Sequence, residues 1–137
     1  MRVVFADTGY WVALLNPHDE LHDRAKKISE SLNPVHIVTS EMVLTEVLND
    51  FSKRGDYLRK VATELIDCIQ ENPNVTLISQ TSKQFQQGLK LYKNRLDKNW
   101  SLTDCVSFKI MEDMSIYEAL AYDKHFEQAG FIALLRG

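Results

Sequence analysis

Cysteine is scarce in this chain, with 2 residues. Cys68 and Cys105 lie far apart and form neither a CxxC pair nor a Cys/His spacing, which argues against a zinc site and fits a reducing compartment, with both thiols expected as small buried residues. Proline (3) and glycine (5) are few as well, and no repeat or low-complexity tract points to disorder or a solenoid. Long hydrophobic runs are missing: none approaches a membrane span, and the first is interrupted by Asp7 before a signal-peptide core forms. The expectation is a cytoplasmic protein with no membrane partner. An excess of positive charge is also absent, the formal net charge being −3, so any polyanion must be held by local charge.

What is present is an ordinary globular composition. At 137 residues, 45% hydrophobic and 26% charged, the chain is long enough to bury a continuous core as a single domain, 1–137, without staples. Val3 to Ala6 is a short apolar run of the kind buried on both faces of a parallel sheet, and the helix expected after it ends at Asn16-Pro17. Leu21, Ala25, Ile28 and Leu32 share one helical stripe. Val35 to Val38 reads as a second strand, with Ser40 placed to cap a helix reaching about Ser52. Leu58, Val61, Ala62, Leu65, Ile66 and Ile69 mark a further amphipathic helix that Asn72-Pro73 ends. Val75 to Ile78 is a third strand, and Thr81 with Gln84 predicts a capping box for a helix carrying Phe85, Leu89, Tyr92 and Leu96. Ser101 caps a strongly apolar helix from Leu102 to Met114, after which Tyr117 to Tyr122 and Phe131 to Leu135 read as fourth and fifth strands. Strands separated by helical patterns imply crossover units, hence a three-layer α/β/α sandwich on a central parallel sheet of four to five strands.

Against that frame the acids stand out. In RVVFADTGYWVALL a single carboxylate, Asp7, interrupts an apolar stretch. A buried lone carboxylate is costly, so the group must be solvated, paired, protonated or held against a cation. Asp7 and Asp123, the latter at the end of ALAYD, both follow strands, and ligands of open parallel sheets bind beyond the carboxyl ends of the strands. Helix capping explains either residue equally well at this level. Glu46 falls at the margin of the face made by Met42, Val43, Val47, Leu48 and Phe51, and Asp50, one turn on, is nearly as well placed. Asp104 projects from an apolar helix, where Ser101 and Asp104 also match a capping box.

The segments FADTGYWVALLNPHDELHDRA, TSEMVLTEVLN, WSLTDCVSF and AYDKHFEQAGF together resemble the PIN-domain family of metal-dependent ribonucleases, especially its small single-domain forms that include toxin subunits of the VapBC type. The likeness runs from end to end and rests on the order and spacing of acids in apolar frames. Carried over position by position, it implies an acidic quartet of Asp7, Glu46, Asp104 and Asp123, and so prefers Glu46 to Asp50. One departure is Ala121, where many members have Thr two residues before the last acid.

Four carboxylates in one place repel unless cations occupy the site, and an all-carboxylate donor set suits magnesium or manganese rather than zinc. That donor set suits phosphodiester hydrolysis, with one or two ions sharing the activation of water and the stabilisation of the leaving oxygen, and the resemblance implies RNA as the substrate. Thr8, Ser101 and Thr103 are candidates for orienting the acids, and Lys53, Arg54, Lys90, Lys93, Arg95 and Lys98 for contacting phosphate, although capping and solvated helix faces are their commoner uses. His22 and His125 read as packing or hydrogen-bonding residues. The resemblance further implies a homodimer, with Trp11 and the Leu58 to Ile69 stripe as candidate contributors, and a small antitoxin protein that blocks the cleft. Two other readings compete: a catalytically silent PIN-like interaction module, and a receiver-type phosphoacceptor domain, which needs paired acids after strand one where Ala6-Asp7 supplies one.

Overall fold

The computed structural model describes residues 1–137. Five parallel strands, β1 (Val3–Ala6), β2 (His36–Ser40), β3 (Val75–Ile78), β4 (Glu118–Leu120) and β5 (Ile132–Ala133), form one sheet in the order β3-β2-β1-β4-β5. Seven helices flank it: α1 (Thr8–Leu15), α2 (His22–Ser31), α3 (Glu41–Phe51), α4 (Asp56–Glu71), α5 (Ser82–Asn94), α6 (Leu102–Asp113) and α7 (Lys124–Gln128). One group packs α1 against α2 and α3, and α3 against α4; the other packs α6 against α5 and α7. The expected α/β/α architecture is the observed one. Val4, Phe5 and Ala6 are fully buried, as a central strand covered on both faces requires. No helix is long and apolar enough to cross a membrane.

The order places β1 between β2 and β4. From β1 the chain winds outward one way through β2 and β3, and later resumes on the other side with β4 and β5, so the sheet reverses its direction of growth between β1 and β4. Crevices that receive ligands open beyond the carboxyl ends of the strands at such a point.

Several sequence expectations need correcting. The sequence carries no periodic signal for α7, which at 5 residues is too short to show one. The fourth and fifth strands are shorter than expected, although Leu134 N–H to Ala119 O and Leu135 N–H to Ala121 O extend their pairing as backbone bonds. Thr81 caps α5 by accepting from the Gln84 N–H, without the reciprocal bond of a full capping box. Cys68 is exposed, on the outer side of α4, and only Cys105 is buried. Trp11 is buried, its Nε1 donating to Thr39 Oγ1 at 3.2 Å, so it belongs to the core and not to a surface.

The largest departure concerns α5. Phe85 and Tyr92 are exposed, and Leu96, exposed by 89%, lies past the helix end in a turn, while the face turned to α6 is the one carrying Gly88 and Leu91. The cause is close approach: a Cβ built on Gly88 would lie 2.5 Å from Val106 Cγ2 and 3.3 Å from the Val106 backbone N. Gly88→Ala is therefore expected to destabilise the protein by about 1–2 kcal/mol, the cost of overpacking less the gain in helix propensity. Denaturant titration checks this, and Val106→Ala in the same chain is expected to restore part of the loss.

Candidate active site

Asp7, Glu46, Asp104 and Asp123 line one cavity of about 650 Å³ at the reversal point of the sheet, together with Thr8, Gly9, Asn99, Ser101, Lys124, His125 and Arg136 among others. Asp7 follows β1, and its backbone N–H donates to Leu120 O at 3.1 Å, which ties the end of β1 to the end of β4. Asp123 lies just past that second end. Glu46 comes from α3 and Asp104 from the first turn of α6. Asp50 stands elsewhere, paired with Arg54 at 2.9 and 3.2 Å, so the geometry separates the two acids that α3's periodicity left equivalent.

Each acid is held differently. Asp7 stands at the N-cap of α1 but makes no capping hydrogen bond with its side chain, so capping does not account for a buried carboxylate there. Burial, and then the charges of Asp104, Glu46 and Asp123, push its carboxyl up to about 7, against the Thr8 N–H that lowers it. Glu46 Oε1 accepts from Thr8 Oγ1 at 2.7 Å. Asp104 completes the capping box with Ser101: its Oδ2 accepts from the Ser101 N–H at 3.0 Å, and its own N–H donates to Ser101 Oγ at 3.0 Å. Burial raises the Asp104 carboxyl above its ordinary value, with the Ser101 N–H and His125 opposing. Asp123 Oδ1 accepts from the His125 N–H at 3.0 Å and so caps α7. For Asp104 and Asp123 capping and a place in the cavity coexist, since the cap fixes the backbone from which the carboxylate projects.

Three further residues, His125, Lys124 and Arg136, bring charge or hydrogen bonds to the cavity. His125 Nδ1 lies 2.9 Å from Asp104 Oδ2 and 3.3 Å from Asp123 Oδ1, linking the two acids. Its hydrogen-bonding role was expected, its place among the acids was not, although it is two residues from Asp123. Lys124 and Arg136 bring positive charge to the rim. Arg136 pairs with Glu127 at 3.0 Å, donates to Tyr122 O at 2.9 Å and lies over the Tyr122 ring at 5.0 Å. Nothing in the sequence around Arg136 could have placed it here, because β5 has to return to the sheet first.

His22 is a hydrogen-bonding residue, as expected, its Nδ1 bonding Ala13 O at 2.8 Å between α1 and α2. Other candidates lie outside the cavity. Arg54 pairs with Asp50 and Arg95 with Asp97. Thr103 is buried but does not line the cavity. Burial and then the Asp104 charge push the buried Cys105 thiol up to about 11, away from the thiolate form.

The acids offer hard oxygen donors, and carboxylates lining one cavity favour a bound cation over mutual ionisation. No three acid or histidine side chains stand as a finished cage, and Asp104 is turned towards Ser101 and His125. Occupation by a divalent ion thus fits the chemistry of the residues and entails side-chain rotation, which the half-exposed Asp123 allows.

A parallel sheet with acids gathered at its reversal point defines an α/β fold with an acidic cleft. The match of the PIN domain model to residues 4–132 then shows the family: this chain belongs to the PIN-domain family. It is similar to the 23S rRNA-specific endonuclease VapC20 of Mycobacterium tuberculosis, with 30% identity over 130 residues that cover 95% of this chain and 96% of the relative. The crystal structure of that protein, described as a Sarcin-Ricin loop cleaving toxin, superposes with a TM-score of 0.84 at 29% identity, covering 94% of this chain and 96% of the other. VapBC2 from Rickettsia felis, bound to a DNA fragment from their promoter, shares the fold at a TM-score of 0.68 and 16% identity, covering 96% of each chain.

Proposed function

We propose that this chain is a magnesium- or manganese-dependent endoribonuclease that hydrolyses phosphodiester bonds of single-stranded or structured RNA, with Asp7, Glu46, Asp104 and Asp123 as the metal-holding and catalytic acids. The observation that carries the reading is the convergence of carboxylates from four separate stretches of chain on one cavity at the sheet's reversal point. When bound, a divalent cation would supply activation of the attacking water and neutralise charge on the phosphate. The chain's own groups do the remainder. Thr8 orients Glu46, Ser101 and His125 fix Asp104, and Lys124 and Arg136 offer contacts to flanking phosphates at the rim. The similarity to an rRNA-specific toxin supports action as the toxin of a toxin-antitoxin pair, with a small antitoxin protein and a second copy of the chain as partners.

Purified protein is expected to cleave RNA with magnesium or manganese, to stop with EDTA and to recover when metal is restored, leaving 5′-phosphate and 3′-hydroxyl ends. Full activity in rigorously metal-free protein, or cyclic-phosphate products, would overturn the proposal. The Thr8–Glu46 bond gives a finer check. Thr8→Ala is expected to weaken metal affinity by roughly 10- to 100-fold, as the loss of an orienting hydrogen bond does, while Thr8→Ser retains it; calorimetric metal titration separates the two.

A further inference from the structure

Beside the acidic cavity lies a second one of about 380 Å³, lined by Tyr92, Arg95, Leu96, Lys98, Asn99, Trp100, Ser101 and Cys105. The two share Asn99 and Ser101 as a common wall. The wall chemistry differs from that of the acid site: no carboxylate lines it, and two cations do. Arg95 is fixed in place, its guanidinium paired with Asp97 at 3.0 and 3.1 Å and lying 4.8 Å from the centre of the Trp100 ring, with its side chain still 39% exposed. Lys98 Nζ stands 4.0 Å from Asp97 Oδ2. Tyr92, in the last turn of α5, and Leu96, just past the end of that helix, are open to solvent.

Flat guanidinium and aromatic surfaces with nearby positive charge are what unstacked bases and their phosphates bind. We infer that this second cavity receives one unstacked base of single-stranded RNA next to the phosphodiester held at the acids, with Tyr92, Leu96 and the Arg95 guanidinium contacting the base and Lys98 the intervening phosphate. The inference rests on the ribonuclease reading. Continuity with the acid cavity and complementarity of charge favour RNA here over an acidic or apolar protein segment, because the shared wall sets the two cavities one beside the other along a strand's path.

The test uses the full chain in EDTA, where binding is read without cleavage. A short fluorescein-labelled single-stranded oligoribonucleotide is titrated by anisotropy into the wild type and into Tyr92→Ala, Tyr92→Phe and Lys98→Ala, each first shown by circular dichroism to melt as the wild type does. Tyr92→Ala is expected to weaken binding by roughly 10-fold, the loss of one base stack, and Tyr92→Phe to leave it unchanged. Replacing bases one at a time by abasic sites is expected to reveal a single position whose removal costs the wild type as much and Tyr92→Ala nothing further. Equal binding by Tyr92→Ala and the wild type, or no such position, overturns the inference. So does a change in light scattering showing that Tyr92→Ala loses a second copy of the chain while RNA binding persists. A parallel cleavage assay with metal separates the two levels: RNA cut by a protein indifferent at Tyr92 refutes only this cavity, whereas RNA bound through Tyr92 and never cut refutes the nuclease reading.

Discussion

If the proposed function holds, Asp7→Asn is expected to abolish RNA cleavage, by roughly 100-fold or more, because the loss of a proposed metal ligand removes several kcal/mol of transition-state stabilisation. The same protein is expected to melt no lower than the wild type at neutral pH without metal. The sign follows from the carboxyl's environment. Burial and neighbouring acids raise it to about 7 in the folded chain, against 3.8 for the free group, so the folded state holds a proton that the unfolded state has released. The stability this contributes is complete below about pH 4 and is lost as pH rises to 7, by an amount on the order of 4 kcal/mol. Asparagine does not titrate and should flatten that slope. Thermal melts between pH 4 and 8 with and without magnesium check it: the wild type should lose stability with rising pH in EDTA, and added metal should restore it in the wild type and not in Asp7→Asn. A cleavage rate equal to the wild type's would refute the metal-ligand role.

The largest expected loss of stability lies at Phe108. Its ring meets Trp100 edge-on at 5.0 Å and 79°, Phe126 at 5.0 Å and 88°, and Phe131 at 5.7 Å. Trp100 immediately precedes the capping box that carries Asp104, and Phe126 lies on the helix that Asp123 caps, so one ring braces two of the acid-bearing segments. Phe108→Ala should cost about 3–5 kcal/mol, a large share of the ~5–15 kcal/mol that holds a domain of this kind folded. Calorimetry should show a single transition at a much lower temperature, and Phe108→Leu should recover most of it. Where Asp7→Asn removes activity and spares stability, Phe108→Ala should act on stability first. A Phe108→Ala protein that melts within a degree or two of the wild type would remove this aromatic brace from the account.

The strands were readable because each is a short apolar run buried on both faces, and Asp7 was conspicuous for the same reason: it interrupts one of them. Helical periodicity was less informative. It grouped Phe85, Leu89, Tyr92 and Leu96 on one side of a helix, but which side faces inward is decided by Gly88, whose lack of a side chain admits Val106. Glu46 and Asp50 were equivalent on the wheel and became distinct only when Thr8 and Arg54 each took one of them. Lys124, His125 and Arg136 join the cavity through the ends of β4 and β5, and contacts set by strands returning from distant sequence leave no local pattern to read.

The reversal of the sheet between β1 and β4 also governs when the acidic cleft can exist. Asp7 is made long before its neighbour strand, Glu118 to Leu120, and Asp123 follows that strand. A chain under synthesis at about 5–20 residues per second holds Asp7 and Glu46 for several seconds before their partners emerge. During that interval the nascent polypeptide lacks Asp104, Asp123 and the strand that Asp123 follows, so the cavity lined by all four acids cannot close around anything until the stretch from 104 to 123 has been made.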